Sequence, residues 1–520
     1  MITSETIQPR FHLSLFLAMA PEKSTVALTA GPMACSEVDL RGGRPRFSSL
    51  QAAIRKIGDF IQDWTPFLLV ASYFFFSTCI YMVCSEKLIE VFWFIYLTTN
   101  FYIAGNSFIE AFMCMAPARD ARKARMKAEA NGWKFPTPDD QLLHLDLIIV
   151  AYLPNEKDII LDRVHYALER IIYPKNKITI NVVYNTPTPI EPLETELREL
   201  AREHPNLRIV QVPNSTSKAH NLNYFLTLDT GSDVIAIFDC DHYTHPYGPR
   251  WAIERFMSNP KIDIVQGRCV VFNAAVSFMT GMISVEFDKI YAVSHPGRSA
   301  LWGFALFTGS NGYWRSHFLR ELKMDDSMLT EDIDSTLRAL SKGAHIEHDL
   351  NVVSYELAPV TWLALWNQRA RWAQGWAQAS MRHLILTFNK PTRGSRNKKM
   401  RFGLMSLLLI REMSYYLVTQ YCCLVLSVII LHFPKTPIAF ARLIYFQYPI
   451  SQWLFIISAI CLVATLWITD RAKSEFISLP MIIMFSILYP IYLVVTAVVG
   501  LYGHARQVSK YTSWNTTARG

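Results

Sequence analysis

Asp239-Cys240-Asp241 places two carboxylates one residue apart where the apolar run VIAIF ends. On a turning backbone such a pair can meet a hard divalent cation, Mg2+ or Mn2+, together with phosphate oxygens. The plainer reading is a turn acid capping the next helix. Thr330-Glu331-Asp332-Ile333-Asp334 adds an acid ahead of the helical stretch STLRALSKG. A hydroxyl that attacks must lose its proton, and a carboxylate in a partly desolvated crevice can take it. Asp332 is the expected base; Glu331 is the lesser catalytic candidate, and Asp334 should point elsewhere on the turn. Thr330 or Asp332 could equally cap the helix. Gln368, Arg371 and Trp372 fall within little more than one helical turn. Arg371 could compensate charge on a departing diphosphate, and Trp372 offers a flat face to a sugar ring. The structural alternative is an aromatic and basic helix lying in a membrane interface.

These residues need a scaffold, and the pattern from about Leu142 supplies one. Apolar, β-rich runs at 145–154, 178–185, 207–212, 233–239 and 261–267 alternate with helical stretches at 158–172, 193–204 and 219–228. Near-continuous apolar strands between helices predict a parallel α/β sheet buried on both faces. Ligands gather at the carboxyl ends of such strands. Tyr152, Asn155 and Glu156 follow the first strand, Asn185 ends the second, and Lys218 opens a helix after the third. Each is commonplace alone. Their agreement on strand ends makes them candidate contacts to a nucleotide base, ribose or diphosphate.

The 520 residues are 51% hydrophobic, 13% aromatic and only 18% charged, too apolar for an ordinary soluble enzyme. The net charge of +8 is concentrated in Arg119–Lys127 and Arg393–Arg401, each beside an apolar segment. Such clusters mark the cytosolic ends of membrane spans, and without interleaved aromatics they do not suggest nucleic acid. The nine cysteines show no metal-ligand spacing. The expected organisation is an N-terminal cytosolic extension (1–60), two transmembrane helices (61–116), a catalytic domain (140–360), interfacial helices (361–412), C-terminal transmembrane helices (413–503) and a tail (504–520). Three spans after a cytosolic domain would leave the tail outside, yet the tail carries His504, Arg506, Lys510 and Arg519 and no acid. Either one segment does not cross, the last, proline-bearing one being a candidate, or a short span hides between 434 and 448.

Taken together, the aspartate pair, the Thr-Glu-Asp triplet and Gln-x-x-Arg-Trp between spans resemble the membrane-embedded processive family 2 glycosyltransferases, the cellulose, chitin, hyaluronan and poly-N-acetylglucosamine synthases. The resemblance covers roughly 145–371 plus the flanking spans. It implies a GT-A-like cytosolic nucleotide-sugar domain inserted between transmembrane helices. It further implies Asp239 and Asp241 at the nucleotide and its Mg2+ or Mn2+, Asp332 as base, and Lys218, Gln368, Arg371 and Trp372 at the donor and acceptor. Gly309, Ser310 and Asn311 resemble the loop that shapes the acceptor site, and Trp514, Thr516 and Arg519 a gating segment that closes from the cytosol. Where the family usually has an aspartate, this chain has Asn185, which puts uracil recognition in doubt. The implied activity is polymerisation of a UDP-sugar, UDP-glucose or UDP-N-acetylglucosamine, into an exported polysaccharide by a multi-pass protein of the plasma membrane. Single transfer to a lipid, as in ceramide glucosyltransferases, is the enzymatic rival. A transporter or scaffold with a degenerate α/β domain is the rival of another class. Oligomeric state is open.

Overall fold

The computed structural model describes residues 47–445 and 449–511. The chain divides into two units, Met1–Gly58 and Asp59–Gly520. Of the first, Met1–Gly58, residues 47–58 are described, and all are helical. The expected 1–60 extension therefore ends in helix; the rest of it lies outside the described residues.

The second unit is built around one sheet of eight strands in the order β3-β2-β1-β4-β7-β6-β8-β5. Strands β1 (Leu145–Tyr152), β2 (Ile178–Asn185), β3 (Leu207–Gln211) and β4 (Val234–Asp239) are parallel, as their near-continuous apolar runs predict. The sheet is mixed beyond them. Strand β7 (Gly312–Arg315) runs antiparallel between β4 and β6 (Ile264–Val271), β8 (Ile346–Glu356) lies parallel to β6, and β5 (Tyr243–Thr244) closes the edge. The short β5 and β7 left no periodic signal. In β8 the polar residues His348, Asp349 and Asn351 hide an eleven-residue strand. Successive side chains of the central strands feed opposite cores. Ile148, Val150, Ile235 and Ile237 join one. Leu147, Ile149, Ala236 and Phe238 join the other.

Among the described residues, five helices are long and apolar enough to cross a membrane: Lys56–Val83, Glu86–Ala130, Lys398–Leu431, Ile450–Ala472 and Leu479–Val508. A further helix, Pro437–Tyr445, is too short to span. The second long helix runs on past the expected boundary at 116 through the basic cluster, and Asn351 Nδ2 donates to its Ala121 carbonyl at 3.0 Å. That continuity fixes the sheet to the apolar bundle.

Candidate active site

Because β1, β2 and β4 are parallel, their carboxyl ends share one edge, with Tyr152 opposite Asn185 and Val150 opposite Asp239. Ser217 caps the helix Lys218–Phe225, its Oγ accepting from His220 N at 3.1 Å, and so aims Lys218 at that edge. Lys218 Nζ lies 2.5 Å from Asp239 Oδ1 and donates to the Gly309 carbonyl at 2.6 Å. Burial opposes the ammonium charge, but Asp239, Glu331 and Asp332 outweigh it and hold its pKa above the ordinary lysine value. A permanent cation therefore sits between the aspartate pair and the Glu331-Asp332 corner. Ligand atoms of Asp239, Asp241 and His242 lie within 4.8 Å of one another. Two carboxylates with an imidazole form a donor set that fits a divalent ion such as Mn2+ or Mg2+. His242 went unnoticed in the sequence, although it directly follows the second carboxylate.

The loop before β7 brings the other acid close. Gly309 adopts φ +94°, and a Cβ there would lie 3.0 Å from Asp332 Oδ2 and 3.7 Å from Lys218 Nζ. Glycine thus meets both the backbone and the space requirement. Ser310 Oγ accepts from Asp239 N at 3.1 Å. Asn311 is fully buried and donates to the Arg268 and Val352 carbonyls, so it holds the loop from beneath. Gln266, also fully buried, accepts from Thr308 N at 3.2 Å and donates to the Ser310 carbonyl at 3.0 Å. A lone glutamine closing an apolar run gave no hint of this role.

Asp332 stands in the first turn of the helix Glu331–Lys342, and its Oδ1 accepts from Ile333 N at 2.8 Å. Burial and the neighbouring Glu331 push its pKa up to about 7, against the pull of Lys218, the Ile333 N–H and Arg371. Thr330 occupies the N-cap position without a side-chain capping bond. Asp334 is fully buried and bonded to Arg338 at 2.6 Å and His383 at 2.7 Å, which makes it a structural tie.

Thr361 caps the helix Trp362–His383, which carries Gln368, Arg371 and Trp372. This helix grips the turn that leads into the helix Glu331–Lys342. Gln378 accepts from Leu329 N and donates to the Ser327 carbonyl, and Arg371 reaches the Leu329 carbonyl at 3.4 Å. Gly375 permits the approach, since a Cβ there would meet Thr330 Cγ2 at 2.4 Å. Gln368 is buried, and its Oε1 has no hydrogen-bond partner among the described residues. Trp372 packs against Phe287, ring centroids 6.4 Å apart.

The structure therefore gathers Lys218, Asp239, Asp241, Gly309, Ser310, Glu331, Asp332 and Arg371 around one crevice. Tyr152 is partly exposed, and its N–H donates to Glu156 Oε2 at 2.6 Å across the turn that includes Asn155. Asn185 is buried, donating to the Ser215 carbonyl at 2.9 Å and accepting from Asn221 at 2.7 Å; its amide supports the turn leading to Lys218. Trp514, Thr516 and Arg519 lie outside the described residues.

Residues 234–469 match the family model described as Glycosyl transferase family group 2. A probable glycosyltransferase of Bacillus subtilis, YdaM, is 25% identical over 240 residues, covering 45% of this chain and 56% of the relative. The poly-beta-1,6-N-acetyl-D-glucosamine synthase of Staphylococcus aureus is 25% identical over 259 residues, 48% of this chain and 58% of that one. A probable glucomannan 4-beta-mannosyltransferase 7 of Oryza sativa is 30% identical over 213 residues, 39% of this chain and 36% of that one. The chain thus spans between 36% and 58% of the length of these relatives.

Proposed function

We propose that this chain, whose residues 234–469 match the Glycosyl transferase family group 2 model, is a processive, inverting β-glycosyltransferase with a GT-A-like catalytic domain. It moves a sugar from a nucleotide diphosphate, UDP-glucose or UDP-N-acetylglucosamine being the donors to try first, onto a growing polysaccharide. The observation that carries this reading is the Asp332 carboxyl, half-buried and with its pKa lifted to about 7, beside the Lys218–Asp239 pair. A carboxylate poised near neutrality suits general base work. Asp332 takes the proton of the acceptor hydroxyl, and Lys218 and Arg371 offset the negative charge that develops on the diphosphate as it departs. Asp239, Asp241 and His242 would hold a divalent ion, which when bound supplies Lewis-acid stabilisation of the same phosphates. The buried Gln368 Oε1 accepts a hydroxyl of the sugar, and Trp372 stacks at the acceptor side. Two relatives are named for polysaccharides, which favours a polymer over a lipid acceptor. Purified protein supplied in turn with nucleotide sugars tests this: a ladder of lengthening products supports the polymerase, a single glycolipid product the lipid-acceptor rival, and no transfer neither.

The same reading places the catalytic domain and the tail on the cytosolic side, with four helices crossing. The last apolar helix, Leu479–Val508, contacts the catalytic side along both halves. Tyr489 OH accepts from Lys289 Nζ at 3.1 Å, while His504 Nε2 lies 2.6 Å from Glu412 Oε2 and the Tyr502 ring packs tilted against Trp366, centroids 5.4 Å apart. Just after it, the Tyr511 carbonyl accepts from Gln374 Nε2 at 2.8 Å, on the helix that bears Gln368, Arg371 and Trp372. These contacts hold the end of the chain to the elements beside the site and favour a tail on that side, in line with its charge pattern. We expect a protease site appended after Gly520 to be protected in sealed right-side-out cells and cut in inverted vesicles. Trp514→Ala should lower turnover in protein that inserts normally, as loss of a gating segment would. Cleavage in intact cells, with the variant fully active, would put the tail outside.

A further inference from the structure

Resting on the reading of Trp372 as the acceptor-side ring, we infer that Arg369 and Glu286 form a clamp whose task is to position that ring. Arg369 and Trp372 stand three apart on one helix and so are neighbours on its surface. The two arginines of the segment divide. Arg371 turns to Leu329 and acts on Asp332. Arg369 turns instead to Glu286 on the helix Phe278–Asp288, and its two terminal nitrogens donate to the two carboxylate oxygens at 2.9 and 2.8 Å. A bidentate fork fixes the plane of a guanidinium. That plane lies over the Trp372 ring, 4.7 Å from its centroid, with Phe287 5.8 Å away. The fixed cation thus borders both rings at once, and Trp372 is held against it and the Phe287 ring in a three-way contact.

The segment that supplies Glu286 also braces the catalytic loop, since Tyr291 OH donates to Thr308 Oγ1 at 3.1 Å, one residue before Gly309. One continuous element therefore sets both the ring and the loop beside Asp332. Stability alone accounts poorly for the pair: both side chains are largely buried, and buried ion pairs replaced by well-packed apolar residues often leave stability unchanged or improved. Lysine would keep the charge but lose the fork and the flat face.

The test compares Arg369→Lys and the double variant Arg369→Met/Glu286→Met with the wild-type full-length protein in lipid nanodiscs. UDP-glucose and UDP-N-acetylglucosamine are the donors, and wild-type turnover, measured first, judges the functional reading separately. Thermal midpoint, donor KM, kcat and product length are read for each protein. The clamp predicts a double variant as thermally stable as wild type, with kcat in both variants lowered about ten- to a hundredfold, donor KM within about twofold and shorter products. Restoration of kcat together with stability in the double variant would make the pair merely structural. A rise in donor KM at unchanged kcat would make Arg369 a donor contact. Either result overturns the clamp.

Discussion

Asp332→Asn is expected to cut kcat by at least about a hundredfold, the usual scale for a lost general base, while donor binding stays near wild type. The amide keeps the shape of the carboxyl and can still accept from the Ile333 N–H, so the helix turn should survive. What it cannot do is take a proton. The acid also dictates a pH profile. Its pKa is raised to about 7 by burial and Glu331, and the ionised form is the active one. The rate should therefore fall as pH drops through 7, to roughly a tenth at pH 6, and this limb should vanish in the variant. Loss of donor binding with unchanged turnover would recast Asp332 as a binding residue.

Asp241→Asn should be nearly as damaging. Asp241 is buried and belongs to the Asp239, Asp241, His242 cluster. Partners that only orient a metal ligand are worth about ten- to a hundredfold when lost, so removing a ligand's charge should cost at least as much. The wild type should lose turnover on chelation and regain it with Mn2+ or Mg2+, whereas the variant should stay low at any concentration of either. Full activity of Asp241→Asn without added metal would remove the ion from the account.

Much of this site was legible because strand ends are legible. The runs before Tyr152, Asn185 and Asp239 are near-continuously apolar, so their termini, and hence one crevice, followed from the pattern. The basic clusters likewise located the bundle. What stayed hidden depends on contacts between distant segments. Glycine at 309 looks like any turn glycine until Asp332 and Lys218 are seen across from it. Asn311 and Asn185 read as polar contacts to a ligand in the sequence, yet both are buried and bonded to backbone carbonyls. Arg369 differs from Arg371 only by its face of the helix, and only packing tells which one meets Glu286. The mixed half of the sheet was missed because β5 and β7 span two and four residues, too few for a period to show.

The most direct test of the central claim is the stoichiometry of transfer by purified protein given a labelled UDP-sugar and Mn2+. One nucleoside diphosphate released per sugar incorporated into product, with both signals absent in Asp332→Asn, is the predicted result. Diphosphate release and incorporation that continue undiminished in Asp332→Asn, or a wild-type protein that transfers no sugar from any nucleotide donor, would contradict it.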